Sequence, residues 1–143
     1  MTFSETSEVI VNANLSGNQL YSAVAGLSAS AFAVAWQDDD DGKAYVRIFD
    51  AAGSSITAAI AIDSAGSGAQ VGVSVAAYDD GSFVVSWADD DGVYVQRYDF
   101  DGTNLVADGS KIATDVAGTS TFGLTQIEAK DDGGFVVAWQ AGT

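Results

Sequence analysis

A five-residue apolar stretch ending in tryptophan occurs three times in this 143-residue chain. Residues 32–36 read FAVAW, residues 83–87 read FVVSW, and residues 135–139 read FVVAW. The tryptophans Trp36, Trp87 and Trp139 lie 51 and 52 residues apart. A fixed period of about 50 residues is the signature of a repeat architecture. The register extends well upstream. Asn12, Asp63 and Asp115 form one column, Ser16, Ser67 and Thr119 a second, and Val24, Val75 and Ile127 a third. Copies differ in length within their Asp/Gly-rich loops, among them the span after the tryptophan, as loops tolerate and strands do not. These columns divide one domain into units 20–70 and 71–121, with partial units at 1–19 and 122–143.

The periodic segments alternate with period two and none has helical spacing, which predicts an all-β chain of antiparallel strands. Each unit reads as four strands. In the second copy they are expected at 71–78, 82–87, 93–99 and 111–115. Asp79-Asp80-Gly81 and Asp131-Asp132-Gly133 sit between apolar runs, where Asp-Gly marks a hairpin. A further strand of the fourth type is expected at 8–13, for eleven strands in all. Phe83, Val85 and Trp87 share one face of their strand, and Val84 and Ser86 share the other. Neither face is clearly polar, so both should be covered. A bulky face beside a small face suits stacked sheets, as in propeller blades. The expected architecture is propeller-like, with about 2.75 four-stranded blades.

Two segments carry the pattern furthest: GFVVAW at 134–139 after a DDG turn, and GVYVQRYD at 92–99. With them the chain resembles tandem repeats of roughly fifty residues in large secreted bacterial proteins. Such proteins often carry calcium-binding Gly/Asp repeats and adhesin-like domains. The first copy departs from the pattern, with Ser28-Ala29-Ser30 in place of the DDG turn. The resemblance implies four-stranded blades, an extracellular or bacterial cell-surface location, and a binding or scaffolding role. It implies no reaction.

Composition narrows the chemistry. There is no cysteine and no histidine, so disulfides, thiolate metal sites and the usual general base are excluded. Serine nucleophiles therefore lack a histidine base, and the chain is read as non-enzymatic. The net charge is −15, supplied by seventeen Asp and three Glu against five Lys and Arg. Nucleic acid and anionic membranes should repel such a chain, and cations should attract it. No apolar run is long enough for a membrane helix. The first residues lack the basic and apolar regions of a signal peptide. That leaves a cytoplasmic protein or secretion through a signal elsewhere, and the cysteine-free Asp/Gly-rich composition favours the second.

Asp38, Asp39, Asp40 and Asp41 before Gly42, and Asp89, Asp90 and Asp91 before Gly92, are the candidate metal ligands. Calcium takes six to eight oxygens, and carboxylates on a Gly-containing loop supply them. The runs lack the spaced pattern and distal glutamate of a helix-loop-helix calcium site. Solvated hairpin loops are the competing reading. The tryptophans suit inter-sheet core, with sugar stacking as the alternative. Tyr45, Tyr94 and Tyr98 are candidates to rim a binding surface, and Arg47 and Arg97 are expected to pair with aspartates. The leading function is a structural or adhesive module that self-associates through terminal strand edges, stabilised by calcium. The alternative is a lectin-like module that binds glycans.

Overall fold

The computed structural model describes residues 8–12, 14–64, 68–116 and 121–142. Among them there are ten strands and no helix. Sheet A contains β1 (Gln19–Ser28), β2 (Ala31–Asp38), β3 (Lys43–Asp50) and β4 (Ile60–Ala61). Sheet B contains β5 (Val71–Ala77), β6 (Phe83–Asp89), β7 (Gly92–Phe100) and β8 (Leu105–Val116). Sheet C contains β9 (Thr121–Ala129) and β10 (Phe135–Gly142). Every pairing is antiparallel and joins sequence neighbours.

Turn chemistry sets these pairings. After β5, the Tyr78 amide donates to the Ser82 carbonyl (2.9 Å) and the Gly81 amide to the Tyr78 carbonyl (3.1 Å). Gly81 has φ +85°, a left-handed conformation that L side chains rarely adopt. Asp80 then accepts the Ser82 amide at 2.9 Å, an Asx turn that closes the loop. The turn at 130–134 repeats both the backbone bonds and the carboxylate cap. Where the first copy lacks DDG, β1 and β2 are joined more tightly, with Ser28 opposite Ala31. There the Ser28 hydroxyl accepts the Ser30 amide at 3.2 Å.

The sheets stack large face on small face. Phe83, Val85, Trp87 and Tyr98 of sheet B pack on Ala33, Ala35, Ala44, Val46 and Ile48 of sheet A. Phe135 and Val137 of sheet C pack in turn on Ala76, Val84 and Val95 of sheet B. Buried polar ties reinforce both contacts. The Gln70 amide group accepts the Ala44 amide proton (2.8 Å) and donates to the Asp63 carbonyl (2.6 Å). The Thr125 hydroxyl donates to the Gly72 carbonyl (2.6 Å) and meets the Ser86 hydroxyl at 2.7 Å.

The N-terminal segment differs from expectation. Among its described residues, 8–12, there is no strand; Ala13 lies outside the described residues. Instead the Val11 side chain packs beside Val34, Trp36 and Phe49, and its carbonyl accepts Arg47 Nη1 at 3.1 Å. The outer strand of sheet B is longer than the expected 111–115, because residues such as Asp108, opposite Arg97, pair there without an alternating apolar pattern.

Candidate functional site

The aspartate loops fold as capped hairpins. Asp38 ends β2 and Asp89 ends β6, and both are buried. Asp38 Oδ1 accepts the Asp40 amide at 3.0 Å. Asp89 Oδ1 accepts the amides of Asp91 (2.8 Å) and Gly92 (3.1 Å). These are local side-chain-to-backbone bonds that Asp makes readily in turns. Burial pushes the Asp89 carboxyl above its ordinary value, and the two amides pull it back only in part.

The other candidates reach away from one another. Asp39 accepts from Asn18 Nδ2 at 3.3 Å, and Asp40 from the Ser16 hydroxyl at 2.5 Å. Asp41 accepts the Lys43 amide at 3.0 Å and the Tyr45 hydroxyl at 2.5 Å. Holding that proton for Asp41, with burial adding to it, pushes the Tyr45 hydroxyl up to about 12. Asp90 lies against Gly68, so close that a Cβ there would stand 2.3 Å from its Oδ2. Asp91 contributes its backbone amide to the Asp89 cap. Among the described residues no three Asp, Glu, His or Cys side chains converge as a metal ion requires.

The aromatic residues form cross-strand ladders. Trp36 stacks on Tyr45 with centroids 5.9 Å apart, and Trp87 on Tyr94 at 5.8 Å. Phe32 stacks on Phe49 at 5.5 Å, and Phe83 on Tyr98 at 5.4 Å. Each pair joins the second strand of a sheet to its third. Such pairs contribute about 0.5–1.5 kcal/mol beyond burial. Trp36 and Trp87 are core, at 5% and 0% exposure, but Trp139 is 38% exposed. The expectation of three equivalent indoles therefore fails for Trp139. Its strand, β10, has no third strand beside it among the described residues, so no ring covers that side.

The tyrosine hydroxyls have internal uses. Tyr98 donates to the Ile62 carbonyl at 3.1 Å, and burial raises its pKa. The Lys111 ammonium lies 4.3 Å from the Tyr94 ring centroid and pairs with Asp63. Arg97 meets Asp80 at 3.0 Å and Asp108 at 3.6 Å, as expected. Among the described residues Arg47 takes no aspartate. It donates to the Thr57 carbonyl (2.9 Å) and the Val11 carbonyl, and lies over Phe49.

Among the concave regions, two bear on binding. A cleft of about 200 Å³ opens between the turns of sheets B and C, lined by Tyr78, Asp80, Arg97 and Lys130. A groove of about 430 Å³ runs along β1, β5 and β9, lined by Tyr21, Val24, Ser74, Gln126 and Glu128. Tyr21 holds φ +51° there, where the bulge in the next sheet has Gly72 at φ +63°. Sequence reading missed Tyr21, because nothing in its neighbours signals a left-handed residue. No family model, curated protein or solved structure matches this chain.

Proposed function

We propose that this chain is a non-enzymatic structural repeat module of a bacterial extracellular or cell-surface protein, which self-associates by stacking its sheets. In this reading the three sheets are propeller-like blades, and the aspartate loops take calcium. The observation that supports it is one interface made twice: the Phe-Val face of one sheet's second strand on the small-residue face of the preceding sheet, with Trp87 joining the first of the two. Sheet A carries a further copy of that face, with Phe32, Val34 and Trp36; Val11 packs on it and leaves Val34 and Trp36 buried, so a second molecule docks there only by displacing the N-terminal segment. A face already used in this way inside the molecule is suited to a second molecule.

The test is solution mass by light scattering over a micromolar concentration series, with and without calcium. A mass that rises above 14.6 kDa with concentration supports the reading. A monomer across the whole series overturns self-association. A second reading, glycan binding, is favoured by the groove that Tyr21 lines, since an exposed ring beside amide and hydroxyl groups suits a sugar. Tyr21→Ala should then abolish retention on immobilised glycans while leaving the fold intact.

A further inference from the structure

Asp-Gly occurs six times, at residues 41–42, 80–81, 91–92, 101–102, 108–109 and 132–133. This dipeptide is chemically labile. The glycine amide nitrogen, unhindered by a side chain, can attack the aspartate side-chain carbon and close a cyclic imide. The attack needs a carboxyl that is free to turn, and it proceeds through the neutral acid. Five of the six are restrained. Asp41 accepts the Lys43 amide and the Tyr45 hydroxyl. Asp80 accepts the Ser82 amide and meets Arg97, while Asp132 accepts the Gly134 amide and meets Lys130. Asp101 accepts the amides of Thr103 (2.9 Å) and Asn104 (2.7 Å), and the Asn104 side chain at 3.0 Å. Bonds led by the Ser82 hydroxyl, the Asn104 side chain and the Lys130 ammonium hold Asp80, Asp101 and Asp132 below the ordinary carboxyl value, so these three stay ionised. At 91–92 it is the nitrogen that is engaged, since Gly92 donates to Asp89 at 3.1 Å.

Asp108-Gly109, exposed within β8, has neither restraint. Among the described residues its carboxylate accepts no hydrogen bond, and Arg97 Nε stands 3.6 Å away, beyond hydrogen-bond length. The register shift in the β7–β8 ladder leaves residues 109–111 without paired residues, and such irregularities loosen a ladder. Gly109 takes φ +71° with open space where a Cβ would stand. We infer that Asp108-Gly109 is the site at which this chain undergoes spontaneous aspartate isomerisation. Gly109 N bonds to Asp108 Cγ, and the carboxyl OH departs with the amide proton as water. Water then returns to one of the two imide carbonyls. Opening at Cγ restores aspartate. Opening at the main-chain carbonyl leaves the backbone running through the former side chain, as isoaspartate. Only water leaves and enters. The product adds a methylene carbon to the backbone of β8. The Asp108 carbonyl that Gln96 Nε2 holds at 3.1 Å becomes a free carboxylate, and Arg97 loses the carboxylate it faced.

The test incubates the full native chain at neutral pH and physiological temperature, beside a sample unfolded in guanidinium, until the unfolded sample has converted at all six dipeptides. Isoaspartate is then mapped by peptide digestion, with an isoaspartate methyltransferase as the probe. The native chain should carry more isoaspartate at Asp108 than at the other sites together, whereas the unfolded chain should spread it over all six. Asp108→Glu should remove the dominant native signal, because the larger imide ring closes far more slowly, and leave the other sites as they were. Mildly acid incubation slows imide hydrolysis, so it should trap at 108–109 a species lighter by one water. Isoaspartate as abundant at Asp101, or at any other site of the native chain, overturns the inference. So does a native chain without isoaspartate at Asp108, or a native distribution that matches the unfolded one.

Discussion

At the scale of the residue, identical neighbours in sequence receive different surroundings in space. Trp87 and Trp139 end nearly the same five-residue stretch, yet one is enclosed and the other borders solvent. We predict that Trp87→Ala costs roughly 3–5 kcal/mol, as for a fully buried large aromatic. The Trp87 indole N–H has no acceptor among the described residues, which places the loss toward the lower end. Trp139→Ala should cost well under half as much. Urea melts of the two variants check the order, and equal losses would contradict the environments described. Asp89 supplies a second prediction. Its folded-state pKa is raised by burial, so the folded state binds more protons than the unfolded state as pH falls toward the ordinary value of 3.8. Stability contributed by this group is therefore gained as pH falls through the raised value and lost as pH rises through it. Asn keeps the oxygen that accepts the Asp91 and Gly92 amides and carries no charge. Asp89→Asn should raise Tm at pH 7, with the advantage shrinking to nothing in acid. A lower Tm at pH 7 would show that the carboxylate charge itself is required.

At the scale of the element, the sequence was legible where chemistry repeats. Alternation at 83–87 assigns Phe83, Val85 and Trp87 to one face, and those three residues are the ones that dock on sheet A. Asp-Gly marked the turns for the same reason that Gly81 adopts φ +85°. Less was legible where partners lie far apart in sequence. Nothing near Trp139 says whether a third strand covers it. Nothing near Gln70 says that its amide group will hold Ala44 of the preceding sheet. The aspartate runs announced carboxylates, but not that Asp38 and Asp89 would turn inward to cap their own loops. The contact between β5 and β9 yields a test at this scale. A Cβ on Gly72 would lie 2.6 Å from both the Gly123 carbonyl oxygen and Leu124 Cα, at φ +63°. Gly72→Ala should therefore cost more than about 2 kcal/mol, since backbone must move and the conformation is disfavoured. Gly109, at φ +71°, faces open space, so Gly109→Ala carries only the conformational cost of about 1–2 kcal/mol. Chemical denaturation of the pair separates the two terms, and equal losses would mean that the sheets do not approach so closely.

At the scale of the whole molecule, charge and stacking oppose each other. A net charge of −15 on 143 residues disfavours any compact assembly, and salt should relieve it. The receiving faces also differ. In sheet B, Ser74 and Ala76 sit opposite Ser86 and Val84. In sheet C the corresponding positions are Gln126 and Glu128, opposite Ala138 and Val136. Val136 and Leu124 are exposed on this sheet, so apolar surface is present. Docking the Phe32, Val34 and Trp36 face of a second molecule there would bury the Glu128 carboxylate against a face whose Arg47 already donates to the Thr57 and Val11 carbonyls, a cost of several kcal/mol. The strength of self-association through this face should therefore be set by these two side chains. The double variant Gln126→Ser, Glu128→Ala gives sheet C the small residues that sheet B has. Sedimentation at matched ionic strength should show a shift from monomer toward larger species at concentrations where the parent is mostly monomeric. A distribution unchanged by the substitution would mean that this face is not the contact, whatever the parent's mass.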